Sequence, residues 1–267
     1  MAGRGHGPDF VESLARGLDV LTCFDASRPE LTLSEVSAAT ALARPTARRL
    51  LLTLQELGYV RTTERGSFAL TPQVLRLGIA YASSLGLWDV ARPHLEDLVA
   101  QTRESSSMSQ LDGFDIVYVA RVSVPKIIAL RVDIGTRFPA PFTSQGKVLL
   151  AHLDDADLAR ALDQPSGAGL ATRPVDRSAL TRELADVRTR GWALADEELA
   201  PGIRSIAVPV RDGRGQVLAA MNVTTHAAET SLDHLVDHHL PLLTTAAARV
   251  TADWSRRQEM PISEPGR

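Results

Sequence analysis

The sequence predicts an α+β protein made of a helical N-terminal module and a strand-rich C-terminal domain. Two observations carry that expectation. Over 33–70 a short helix, a tight turn, an arginine-bearing helix and two strand-like runs follow one another. From Ser105 onward the apolar period shortens from helical steps to strand-like segments interrupted by helices. At 267 residues the chain has room for two cores, and 44% hydrophobic with 23% charged residues excludes a disordered or fibrous chain.

Taken in order, Phe10, Leu14, Leu18, Leu21 and Phe24 recur at three- and four-residue steps, which predicts an amphipathic helix over 10–24. The stretch from Asp25 to Leu31, with Pro29, breaks it. Thr32 or Leu33 opens the next helix, with Ser34 and Glu35 in its first turn and Val36, Ala39 and Leu42 toward a core. A turn around Leu42 to Arg44 leads to a third helix, where Pro45 is tolerated because a first-turn N–H has no intrahelical partner. Ala47, Leu50, Leu51, Leu54 and Leu57 make its buried stripe. Arg44, Arg48 and Gln55 share the opposite face, flanked by Thr46, Arg49 and Thr53. Tyr59 to Thr62 and Ser67 to Leu70 then flank a turn at Thr63-Glu64-Arg65-Gly66. That order is a winged helix-turn-helix, a module that sets its recognition helix in the major groove of duplex DNA.

The candidate DNA contacts are Ser34, Arg44, Pro45, Thr46, Arg48, Arg49 and Thr53, with Arg61 and Arg65 on the wing. Arginine reads guanine bidentately or holds phosphate, and threonine can do the latter. An arginine run alone describes a solvated helix face equally well; the order of elements is what favours DNA. Net charge does not help, being −3 overall, with eight arginines against eight acids before Thr71. Within 44–65, however, five arginines face only Glu56 and Glu64, and phosphate neutralisation needs a local excess rather than a basic protein.

Thr71-Pro72 opens a further predicted helix, to Ser84, carrying Val74, Leu75, Leu77, Ile79 and Tyr81, and Trp88 to Arg103 predicts another. Strands are expected at Ser107–Leu111, Ile116–Val122, Ile127–Val132, Trp192–Glu197, Ser205–Arg211 and Val217–Thr224. Helices are expected at Ser144–His152, Ala156–Asp163, Arg177–Arg190 and Leu232–Trp254, with a hairpin turn at Asp212-Gly213-Arg214-Gly215. The division is 10–71 for the DNA-binding module, 72–86 for a linker helix, 87–255 for the second domain and 256–267 for a flexible tail.

The run Ala41-Leu42-Ala43-Arg44-Pro45-Thr46-Ala47-Arg48-Arg49-Leu50-Leu51-Leu52-Thr53-Leu54 resembles the helix-turn-helix signature of the IclR family of bacterial transcription factors. Gly135 to Pro139, Thr143 to Ala151, Gly191-Trp192, Asp196 to Glu198 and Gly202 to Val210 resemble that family's effector-domain motifs in the same order. The resemblance spans about Phe10 to Trp254. It implies a GAF-like effector domain with an antiparallel sheet, and a homodimer or homotetramer on a palindromic operator, with the linker helix in the dimer interface. It also implies a small organic acid effector. The wording is most similar to regulators of protocatechuate, 4-hydroxybenzoate and β-ketoadipate catabolism. Pro45 departs from the polar residue many members carry, which shifts weight to Thr46 and the arginines.

For the effector, Thr143 and Ser144 precede an apolar helix whose first N–H groups face a positive dipole end, and Gly146 allows close backbone approach. The acid group is expected there, with Ile203, Ser205, Ala207, Asn222 and Thr224 from facing strands. Arg137 or Arg204 would be a charged partner, while Asp196-Glu197-Glu198 reads as a solvated strand end, a neutralising partner for Arg204 or, preferred, a pocket rim. Those same residues would also suit a plain helix cap and tight packing.

Other chemistries find little support. Cys23 is the sole cysteine, which excludes an intrachain disulfide and a thiolate cluster. His234 and His238 lie one turn apart without a clear third ligand, so no metal is expected. Lys126 and Lys147 are the only lysines, and neither a phosphate loop nor a nucleophile elbow is legible, so no enzyme and no cofactor are expected. No apolar run would span a bilayer and the first nine residues are short and polar, so the expected location is cytoplasmic, with no membrane partner. A ligand-independent DNA-binding protein and, more remotely, a small-acid enzyme are the alternatives.

Overall fold

In the computed structural model, which describes residues 7, 9–25, 27–78, 86–125, 132–170 and 173–259, the chain divides into two units, Met1–Ser84 and Leu85–Arg267. The first begins with helix α1 (Glu12–Thr22) and strand β1 (Glu30–Leu31). Helices α2 (Leu33–Thr40) and α3 (Arg44–Glu56) follow, then strands β2 (Val60–Thr62) and β3 (Phe68–Leu70). Thr32 starts α2 with a capping box. Its hydroxyl accepts from the Glu35 N–H at 3.3 Å, and the Glu35 carboxylate accepts from the Thr32 N–H at 2.7 Å. Ala41, in the left-handed region at φ 54°, ends α2, and Pro45 sits in the first turn of α3. Val20, Phe24, Leu31, Val36, Ala47, Leu51, Leu54, Val60 and Phe68 form the core.

Two local expectations change here. The break over 25–31 contains a strand, because Glu30 and Leu31 pair with Ala69 and Phe68 and so bury Leu31 beside the hairpin, in the order β1-β3-β2. The apolar stripe of α1 is only partly core: Val20 and Phe24 are buried, whereas Phe10, Leu14 and Leu18 are exposed. Thr71 caps a 3-10 turn at Pro72–Val74 that continues as helix over 75–78; the rest of the expected linker helix to 84 lies outside the described residues.

The second unit contains helix α4 (Leu87–Thr102) and strands β4 (Ser105–Asp112), β5 (Asp115–Val122) and β6 (Arg137–Pro139). Helices α5 (Ser144–Ala151), α6 (Asp155–Asp163) and α7 (Arg177–Arg190) come next. Strands β7 (Ala193–Asp196), β8 (Ile203–Arg211) and β9 (Val217–His226) precede the last helix, α8 (Leu240–Glu259). The strands form one antiparallel sheet in the order β6-β5-β4-β9-β8-β7. Side chains alternate between its faces. Met108, Ala120, Ile206, Val208, Met221 and Val223 pack with Leu95 and Leu98 of α4 and Leu243 and Val250 of α8. Ile116, Tyr118, Ala193, Ala207 and Ala220 pack on the other side with Val148 and Leu150 of α5 and Leu180 and Leu184 of α7.

Strand β6 was not anticipated, and the strand expected over 127–132 lies outside the described residues except for Val132, which is in no strand. The final segment is helical from Leu232, as expected, but it carries a π-type irregularity near its start. A turn capped by Ser231 (Leu232–His234) and a π-type turn (Leu235–His239) precede α8, which then runs through Glu259 into the stretch expected as tail. Residues 260–267 and Lys126 lie outside the described residues. No described helix is long and apolar enough to cross a membrane.

Candidate functional site

Two surfaces carry chemistry, one in each unit. On the first, Ala47, Leu51 and Leu54 turn α3 toward its core, and this leaves Arg44, Pro45, Arg48, Arg49 and Thr53 exposed with Thr46 half-buried. Ser34 is exposed on α2, and Arg61 and Arg65 are exposed on the hairpin. Among the described residues none of these five arginines has a carboxylate within ion-pair distance, whereas Arg16 and Arg28 of the same unit pair with Glu12 and Asp25. Thr53 differs from its neighbours because its hydroxyl already donates to the Arg49 carbonyl at 3.0 Å. The module therefore presents uncompensated guanidinium groups from a helix and a hairpin, which is what a polyanion requires.

The second surface is a cavity, and cross-strand register builds it. One row across the sheet reads Ala195 (β7), Ser205 (β8), Thr224 (β9) and Ser105 (β4). The adjacent row on the same face reads Ala193, Ala207, Asn222, Ser107 and, on β5, Arg121. Small side chains leave space above the sheet, and their hydroxyl groups make it polar. The start of α5 covers it. Thr143 caps that helix by accepting from the Gly146 N–H at 3.0 Å, and Ser144 and Ser205 share a hydrogen bond of 2.7 Å across the gap. Asn222 accepts from the Ser107 N–H at 3.1 Å and donates to the Thr224 hydroxyl at 2.9 Å. The space open to the centres of water-sized molecules is about 60 Å³. One water needs roughly 10–15 Å³ by that measure, so the site suits a few waters or one small ring.

Of the residues expected to meet a ligand, Thr143, Ser144, Ile203, Ser205, Asn222 and Thr224 line this cavity together. The other five are not among its lining residues. Arg137 is held at the sheet edge by Asp112 at 2.6 Å and by the buried Asp115 at 3.2 Å. Arg204 and Asp196 pair with each other, and the Arg204 guanidinium also donates to the Ala227 and Thr230 carbonyls. Ala207 belongs to the apolar cluster beneath α5. Gly146 faces protein rather than open space, since a Cβ there would lie 2.1 Å from the Ala140 carbonyl oxygen.

Sequence reasoning missed Glu104, Tyr118, Arg121, Gln145, Thr225 and His226, all of which line the cavity. Burial pushes the Tyr118 hydroxyl up to about 12, against the pull of nearby Arg121, so it stays a neutral donor. Burial also draws the Arg121 guanidinium below its ordinary range. Gln145 donates to the Ser107 and Ala220 carbonyls, yet among the described residues its buried Oε1 has no partner, nor has the buried Thr225 hydroxyl. Gly202, at φ +78°, is a second place where a Cβ would collide, 2.8 Å from Nε2 of the His226 ring. The signal for Arg121 was available only as one more residue on a strand, with nothing local to single it out.

Lys147, one position past Gly146, points away from these groups. It is fully buried and binds Glu183 at 2.7 Å and Glu198 at 2.5 Å, so α5 is tied to α7 and to the loop after β7. His234 and His238 lie with ring centroids 4.6 Å apart and planes tilted by 40°, and no group of three or more metal-ligating side chains occurs among the described residues.

Two family models match the chain. One, the IclR helix-turn-helix domain, covers residues 13–64; the other, bacterial transcriptional regulator IclR C-terminal, covers 79–252. The Pca regulon regulatory protein of Pseudomonas putida is 40% identical over 90% of this chain and 83% of its own length. The p-hydroxybenzoate hydroxylase transcriptional activator of Acinetobacter baylyi is 36% identical over 90% of each chain. A crystal structure of an IclR homolog from Microbacterium hydrocarbonoxydans, complexed with 4-hydroxybenzoate, superimposes with a TM-score of 0.78 at 25% identity, covering 92% of this chain and all of that one.

Proposed function

The chain belongs to the IclR family of bacterial transcriptional regulators, and we propose that it adjusts its grip on DNA when an aromatic carboxylic acid occupies the cavity under α5. The observation that carries the ligand half of this reading is the pair of buried polar atoms without a partner among the described residues, Gln145 Oε1 and Thr225 Oγ1, at a small polar cavity. Each unmet group costs about 1–3 kcal/mol unless water or a ligand meets it. A relative named as a p-hydroxybenzoate hydroxylase transcriptional activator, and a homolog complexed with 4-hydroxybenzoate, support an aromatic acid as the occupant.

Two copies would place two α3 helices on the halves of a palindromic operator. Ligand need only prefer one arrangement of those copies; a hundredfold preference is about 2.7 kcal/mol of coupling. The test is a mobility shift on the DNA upstream of the protein's own gene, with and without 4-hydroxybenzoate and protocatechuate, beside calorimetric titration of each acid. Operator affinity indifferent to every acid that binds would leave a DNA-binding protein without an effector. Ser205→Leu fills the middle of the cavity and is expected to abolish the acid response while operator affinity stays within about threefold of wild type. Loss of DNA binding in that variant would overturn the separation of roles between the two units.

A further inference from the structure

Among the described residues, the cavity holds one guanidinium with no carboxylate within ion-pair distance. Arg121 ends the cross-strand row on β5, and the one hydrogen bond of its guanidinium among the described residues goes from Nη1 to the Ser107 hydroxyl at 3.0 Å. The other cations near the site are satisfied: Arg137 by Asp112 and Asp115, Arg204 by Asp196, and Lys147 by Glu183 and Glu198. Among the described residues no carboxylate stands within ion-pair distance of Arg121. Asp133 attracts it only from farther away, and Tyr118, its other close titratable neighbour, is neutral at physiological pH. A half-buried guanidinium without a counter-charge destabilises the empty protein, and an anion delivered to it there is bound far more strongly than at the surface.

We infer that Arg121 is the anchor for the effector's carboxylate, an inference that rests on the cavity being the effector site. The guanidinium presents a planar fork that fits both carboxylate oxygens, and Ser107 fixes one edge of it and leaves other N–H groups free. The Gln145 amide donates to the carbonyl of that same Ser107, and its unpartnered Oε1, an acceptor, suits a donor on the ligand such as a ring hydroxyl and not the carboxylate. The positive end of α5 adds favourable potential without a second full charge. Selection for an acid over its neutral isostere then resides in one side chain on β5, not in the loop-to-helix turn that the sequence motif emphasises.

The test uses the full-length protein and the variant Arg121→Met, which keeps most of the volume and removes the charge. By calorimetry, wild type is expected to prefer 4-hydroxybenzoate over 4-hydroxybenzamide by about 10- to 100-fold. Arg121→Met is expected to bind the two about equally, with affinity for the amide little changed, and Arg121→Lys to restore part of the preference. A preference that survives in Arg121→Met would place the acid at the start of α5 and overturn the assignment. A readout without ligand separates this from a structural role: removing a half-buried cation with no carboxylate within ion-pair distance should raise the melting temperature of the empty protein by about 2–4 °C. A fall would make Arg121 structural and sink the proposal. Should wild type bind neither probe, the aromatic reading fails while the melting shift still decides Arg121, a rise keeping it as an anion-binding group and a fall removing it.

Discussion

Arg48→Ala will weaken operator binding by about 1–3 kcal/mol for each half-site contacted and flatten its salt dependence, while leaving the fold intact. Arg48 is exposed in the second turn of α3, directly after the buried Ala47, and no carboxylate among the described residues competes for its guanidinium. A contact to phosphate would lower affinity uniformly across sequences and reduce the salt slope by about one per half-site; a bidentate contact to guanine would also relax preference at one base pair. Both effects double on a palindrome. Arg16→Ala is the matched control, because Arg16 already pairs with Glu12 at 2.9 Å on an exposed helix face. Fluorescence anisotropy at several salt concentrations reads both. Unchanged affinity in Arg48→Ala, or an equal loss in Arg16→Ala, would remove α3 as the recognition surface.

The N-terminal unit was legible because its signals are local. Thr32 and Glu35 are three residues apart, Pro45 and the apolar stripe of α3 fall in one helix, and Gly66 closes a hairpin within four residues. What escaped there was β1, two residues long and defined only by pairing with Ala69 and Phe68. The second unit inverts that balance. Its helices and most strands follow from periodicity, but the cavity is a product of register between strands far apart in sequence. Arg121 stands beside Ser107 because β4 and β5 pair with a shift between Met108 and Ser109, and Ser107 stands beside Asn222 across more than a hundred residues. No spacing rule announces either. Arg137 and Arg204 read as equal candidates for an acid partner; the pairing of Arg204 with Asp196 was one of the readings open from the sequence, whereas Asp112 and Asp115 beside Arg137 emerge only from the fold. Lys147 likewise owes its place to Glu183 and Glu198, both distant in sequence.

Gly146→Ala should be strongly destabilising, and it will act through folding and not through the ligand. Helix propensity by itself favours the substitution, since alanine exceeds glycine by about 0.8–1 kcal/mol in a helix interior. Packing opposes it more strongly. The added Cβ would lie 2.1 Å from the Ala140 carbonyl oxygen, 2.4 Å from its Cα and 2.5 Å from its carbonyl carbon, all backbone atoms that no rotamer change can move aside. Relief requires α5 to shift from the 3-10 turn at Ala140–Phe142, which would carry Thr143, Ser144 and Gln145 out of the cavity. Overpacking of this kind costs about 3 kcal/mol, and with a rigid obstacle more, so the clash wins over propensity. For a unit of this size that corresponds to a fall in melting temperature of roughly 6–12 °C. Calorimetric melting should show that loss in the transition assigned to residues 85–267, with the transition of the DNA-binding unit unmoved and the acid response gone. A glycine whose only task is to let ligand approach the backbone predicts the reverse, an unchanged melting profile with the response lost, and that result would return Gly146 to the cavity.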